Sequence, residues 1–151
     1  MDLAKRKSPR IPGYDHSTAN FYFITICTQK KKCMFGKPGE LNWMGKIAEE
    51  NLLLIPELYP NIRLDHYVVM PNHIHAILDF QNSGEMDLNI VVGQYKMSVT
   101  KRIREKIPGV LVWQRSYHDH VIRNQPGYEK IWMYIENNPL KWEKDCFYRN
   151  T

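Results

Sequence analysis

Two hydrophobic periodicities alternate along the chain, and their changeovers mark its elements. Phe21 to Thr28 (FYFITICT) is aromatic and β-branched throughout, which predicts a central strand. Gln29 to Gly39 is charged and predicts a turn or extended loop. From Leu41, apolar residues recur at Met44, Ile47, Ala48 and Leu52, predicting an amphipathic helix to Leu54 that stops near Pro56. Arg63 to Met70 predicts a second strand and His73 to Leu78 a third. Pro71-Asn72 between them has the residues of a tight turn, Pro fixing φ and Asn tolerating the next position. Gln81 to Glu85 is a polar loop. Asp87 to Arg104 then sets Leu88, Val91, Val92, Tyr95, Val99 and Ile103 on one stripe of a helix, with Asp87 at its N-cap. Pro108-Gly109 breaks that pattern, and Tyr117 to Ile122 predicts a fourth strand. Beyond Pro126-Gly127, Tyr128 to Asn137 predicts a last helix with Tyr128, Ile131 and Ile135 buried, ending where Pro139 disfavours helix at Asn138.

The order is strand, helix, strand, strand, helix, strand, helix. Its first six elements match an α+β fold of the ferredoxin-like βαββαβ kind, an antiparallel sheet with helices on one face. The seventh is an additional C-terminal helix. A chain of 151 residues is expected to form one domain. Residues 1–19, with Lys5, Arg6, Lys7 and Arg10, read as a basic N-terminal arm, and residues 20–151 as the domain.

Charge changes this picture more than composition does. A net charge of +5 favours an anionic partner. Lys96, Lys101 and Arg102 fall on the polar side of the second helix, where a solvated face and a phosphate-contacting face fit equally well. The polar, basic start of the chain and the absence of a long apolar run argue against secretion and membrane spanning. The odd count of three cysteines, with no C-x-x-C, suits reduced thiols in a cytoplasmic protein.

The candidate chemistry begins at His73-Ile74-His75. Strand side chains alternate faces, so the two imidazoles point the same way and offer half a site for a divalent metal. Two ordinary strand histidines satisfied by hydrogen bonds fit the same spacing. On the last helix, Tyr134 and Asn138 fall one above the other beside the apolar stripe, facing the protein. A core aromatic and a helix cap would share that placement. A second H-x-H, His118-Asp119-His120, lies in more polar surroundings that suit an exposed edge. There is no nucleotide-cradling glycine motif and no serine-nucleophile elbow.

Four segments in order resemble one family. Tyr67-Val-Val-Met-Pro-Asn-His-Ile-His-Ala-Ile-Leu78 resembles the HUH motif (His, hydrophobic, His) of single-tyrosine transposases. Trp113-Gln114, the run Tyr117 to Asn124, and Tyr134-Ile-Glu-Asn-Asn-Pro139 with Trp142 resemble the branch called REP-associated tyrosine transposases, as does the stretch from Arg6 to His16 followed by Phe23 to Gln29. The resemblance implies a ferredoxin-like fold and cleavage and rejoining of single-stranded or hairpin DNA through a 5′-phosphotyrosine. His73 and His75 match the metal-binding pair, Tyr134 the nucleophile and Asn138 the third ligand, where related insertion-sequence enzymes carry Gln. Mg or Mn is the implied cofactor. His120 and Arg123 match a family segment with no assigned role. Relatives include monomers and dimers that share sites, so a homodimer stays open. Two other readings fit the residues alone: a non-catalytic nucleic-acid-binding module, and a metal-dependent phosphohydrolase that uses water.

Overall fold

A computed structural model describes residues 21–81 and 87–144. The basic arm, most of the polar loop after residue 80 and Cys146 lie outside the described residues. The chain opens with strand β1 (Phe21–Cys27), a small hairpin of β2 (Gly36–Lys37) and β3 (Glu40–Leu41), and helices α1 (Trp43–Leu53) and α2 (Ile55–Leu58). Strands β4 (Ile62–Met70) and β5 (His73–Phe80), helix α3 (Leu88–Arg104), strand β6 (His118–Ile122) and helix α4 (Gln125–Asn137) follow. The central sheet has four strands in the order β4-β5-β1-β6. That is the ferredoxin-like order, and its pairing is antiparallel throughout. Every residue of β5 is buried, because this interior strand is covered on both faces.

The covering differs by face. Ile24, Ile26, Ile74, Ala76 and Leu78 point to one side, where α1 and α3 pack. The stripe Leu88, Val91, Val92, Tyr95, Val99 and Ile103 is buried as its spacing predicts, and the Asp87 side chain accepts the Asn89 N–H at 2.9 Å. The opposite face, which carries His73 and His75, is covered by α4. Tyr128, Trp132 and Ile135 pack there on Phe21, Ile77 and Ile122. The additional helix thus forms a third layer, and its face of the sheet is the one that carries His73 and His75.

Local departures from the sequence reading have identifiable causes. Leu41 belongs to the β2–β3 hairpin, and α1 begins only at Trp43, where the Asn42 side chain accepts the Gly45 N–H at 2.9 Å. The hairpin closes on α1 so tightly that a Cβ on Gly45 would sit 2.3 Å from Phe35 O. Pro56 does not end the helical region. It sits in the first turn of α2, where its missing N–H costs nothing. Likewise Pro126 and Gly127 lie inside the first turn of α4, capped by Asn124, rather than before it. Trp132, not Ile131, takes the buried position of the α4 stripe, since its indole stacks on the His66 ring of β4 at 4.3 Å.

Pro139 also fails to stop the chain turning. Asn138 keeps right-handed helical angles (φ −56°, ψ −46°), and a 3-10 segment continues from Asn138 to Lys144. The preference against helix before proline is outweighed by burial of Asn138. Consequently Trp142 reaches the histidine turn.

Candidate functional site

The site is assembled where the β4–β5 turn meets the C-terminal end of α4. The rings of His73 and His75 lie edge to face with centroids 4.6 Å apart. The Tyr134 ring meets His75 edge-on at 5.2 Å, and the Trp142 ring lies 6.2 Å from His73. Asn138 is one turn beyond Tyr134, between these two aromatic contacts in the chain, and is buried with its Oδ1 fully covered. Tyr134 is the open member of the group at 42% exposure, while the imidazoles are covered.

Each histidine is oriented by a neighbour. Asn72 donates from Nδ2 to Lys31 O (3.1 Å), which fixes its amide so that Oδ1 faces His73 Nδ1 at 2.8 Å. An acceptor there requires the proton on Nδ1 and leaves the lone pair on Nε2. Thr25, directly opposite on β1, sets Oγ1 2.9 Å from His75 Nδ1. With its hydroxyl accepting, the lone pair of His75 also falls on Nε2. Both Nε2 atoms are buried. Burial, and after it the charge of neighbouring His73, holds His75 well below the usual imidazole pKa, so the ring is neutral at physiological pH. Both imidazoles thus have Nδ1 engaged by a neighbour and Nε2 buried, the way histidine ligands are held when a second group orients the ring. No cluster of three His, Cys, Asp or Glu side chains that could hold a metal occurs among the described residues.

The turn itself is braced from β1. Thr28 donates its N–H to Asn72 O at 2.9 Å, and Phe35 donates to Pro71 O at 3.0 Å. Phe23 completes the aromatic wall, stacking on His75 at 5.2 Å and meeting Tyr134 edge-on at 6.4 Å.

The structure brings together His73, His75 and Tyr134, with the buried Asn138 one helical turn past the tyrosine. His120 lies on the same face, opposite Phe23 on the edge strand β6, and is exposed; Arg123 is exposed just past that strand. Lys96, Lys101 and Arg102 belong to α3, on the far side of the sheet. There Lys96 Nζ donates to Gln114 O at 2.7 Å and Arg102 pairs with Glu50 at 2.9 Å. Lys5, Arg6, Lys7 and Arg10 lie outside the described residues. Thr25, Phe23 and Asn72 escaped the sequence reading. Only the position of Asn72, next to the first histidine, could have signalled its role.

Residues 19–138 match the family described as "Transposase IS200 like", and the chain belongs to that family. An uncharacterized protein of Haemophilus influenzae is 34% identical over 167 aligned positions, covering 95% of this chain and 93% of its own length. Among solved structures, a REP-associated tyrosine transposase bound to a REP hairpin matches with a TM-score of 0.66 and 20% identity, over 89% of this chain and 73% of that one. A protein of Deinococcus radiodurans R1, provisionally assigned as a transposase, matches with a TM-score of 0.58 and 18% identity, over 85% of this chain and 96% of that one. At such identities the structural likeness is one of fold. No helix among the described residues is long and apolar enough to cross a membrane.

Proposed function

We propose that this transposase-family chain cuts and rejoins single-stranded DNA by transesterification, with Tyr134 as the nucleophile. The observation that carries the reading is the contact of the accessible Tyr134 ring with His75, itself paired with His73. The REP hairpin bound to the structural neighbour supports a hairpin-flanking strand as the substrate.

The Tyr134 hydroxyl attacks the phosphorus of a bound strand in line with the bond to the 3′ oxygen. The new bond joins Oη to phosphorus and the P–O3′ bond breaks, so the phenolic proton is lost and the departing 3′ oxygen takes one up. The product is a 5′-phosphotyrosine and a free 3′-OH. One phosphoester replaces another, so a 3′-OH can later attack in reverse, restore Tyr134 and reseal DNA without ATP. His73 and His75 through Nε2, with Asn138 through Oδ1, would hold Mg or Mn, which supplies charge neutralisation at the phosphate. Three protein donors leave positions for substrate oxygens. Asn72 and Thr25 keep the two imidazoles in the required tautomer. Phe23 and Trp142 flank the imidazoles and keep their surroundings dry.

The test is incubation of the protein with labelled DNA hairpins carrying single-stranded flanks, plus Mn, followed by denaturing electrophoresis. A covalent adduct is expected with the wild type and none with Tyr134→Phe, whose DNA binding persists. Cleavage without an adduct would favour a water-using hydrolase. Binding with neither cleavage nor adduct would favour a non-catalytic module.

A further inference from the structure

The C-terminal half of α3 and the segment 111–115 enclose an open cleft of about 690 Å³ on the side of the sheet away from Tyr134. Lys96, Lys101, Arg104 and Arg115 line it against a single acid, Glu105. Inside this cationic rim stand two large apolar side chains, Met97 on α3 and Leu111 on the facing segment, exposed by 66% and 61%.

The cleft is preformed. Lys96 Nζ reaches across it to Gln114 O (2.7 Å) and Arg115 O (3.3 Å), and Trp113 Nε1 donates back to Lys96 O at 3.2 Å. The Trp113 ring is wedged between Phe35 and Tyr95. Arg104 Nε donates to Val110 O at 2.9 Å, which ties this lining residue to the facing segment's start. Lys96 is therefore a brace of the wall, whereas Lys101 and Arg115 are exposed at its edges.

This wall is continuous with the catalytic face. Gln114 donates its N–H to Cys27 O at 3.0 Å, and Cys27 pairs with His73. Within the plane of the sheet, two strand spacings of about 10 Å separate His73's strand from the segment that forms the cleft wall on the opposite face. A strand leaving the site over the end of β1 can enter the cleft without a long detour.

We propose that the cleft is a second DNA-binding site, which takes the single-stranded flank of the substrate. Phosphates meet Lys101, Arg104 and Arg115 while bases and sugars lie on Met97 and Leu111. A duplex hides its bases and would use the rim alone, and free phosphate would leave the apolar walls uncovered. The net positive rim and the short path from the histidine turn favour DNA over an acidic protein segment. The inference rests on the reading of the chain as a single-strand transesterase.

The experiment compares hairpins with long and short single-stranded flanks by fluorescence anisotropy across a salt series, and scores adduct formation on both. Lys101→Glu with Arg115→Glu is expected to weaken long-flank binding by about ten-fold or more. The salt dependence is expected to flatten by about 1.4, about 0.7 for each phosphate that is no longer neutralised. Short-flank binding and adduct yield are expected to stay at wild-type levels. Met97→Ser with Leu111→Ser is expected to weaken the long flank only while it is single-stranded, the difference vanishing when a complement is annealed. Unchanged long-flank affinity in both double variants would overturn the proposal, as would equal losses on long and short flanks. So would an acidic peptide that binds the cleft while the DNA flank does not. If wild-type protein forms no adduct on any DNA, the catalytic reading fails; wild-type adducts with flank-insensitive variants overturn the cleft alone.

Discussion

Asn72 holds His73 by its Nδ1, 2.8 Å from an amide oxygen that cannot turn away because the amide nitrogen is spent on Lys31 O. The residue before the first histidine thus decides which nitrogen of the neutral ring carries the proton. Asn72→Ala is expected to weaken Mn binding, measured by titration calorimetry, by about 10–100-fold. Asn72→Asp retains the acceptor and is expected to keep most of the affinity. Equal affinity in wild type and Asn72→Ala would count against the assigned tautomer.

Thr25 orients His75 from across the sheet, its Oγ1 2.9 Å from Nδ1. Thr25→Val fills nearly the same volume without an acceptor. It should reduce Mn affinity and adduct formation together, with Thr25→Ser restoring both. Loss of DNA binding alone would point to a different role.

The layer that carries Tyr134 depends on Trp132, buried under α4 and stacked on His66, whose Nε2 also lies 3.1 Å from Glu136. Trp132→Ala is expected to cost about 3–5 kcal/mol in urea unfolding. Tyr134→Phe, at a half-open position, should change stability by less than about 0.5 kcal/mol while abolishing the adduct. A strongly destabilised Tyr134→Phe would make the phenol a core group instead.

Strand β5, helix α3 and the hairpin turn are legible in the sequence because each is signalled locally. Alternation marks β5, a helical stripe marks α3, and Pro71-Asn72 marks the turn. Thr25 and His75 lie fifty residues apart, and no local pattern marks such a cross-strand pair. The α4 stripe reads one position out because a helical period cannot say which of two adjacent apolar residues meets a ring from β4. Proline misleads at Pro56, Pro126 and Pro139, since it is compatible with first turns and with a buried 3-10 continuation. The basic residues of α3 are legible as charge but not as structure: Lys96 and Arg102 are engaged by Gln114 O and Glu50.

Acidification should expose the burial of His75. Its pKa is depressed in the folded chain, so the unfolded chain binds more protons below about pH 6.5, the ordinary imidazole value. Stability contributed by the neutral ring is present above that pH and lost as pH falls. Chelator-treated protein is expected to lose up to about 1.4 kcal/mol per pH unit from this group on going below about pH 6.5. Urea midpoints at several pH values check this, and a stability that rises on acidification would contradict it.

The most direct measurement is the position of the covalent bond. Trypsin releases residues 131–141 as one peptide, bounded by Lys130 and Lys141 and containing Tyr134 as its single tyrosine. After reaction with a DNA hairpin and Mn, nuclease trimming and mass spectrometry should find that peptide heavier by a nucleotide 5′-phosphate on Tyr134. A nucleotide on any other residue, or efficient strand cleavage with peptide 131–141 unmodified throughout, would contradict the account.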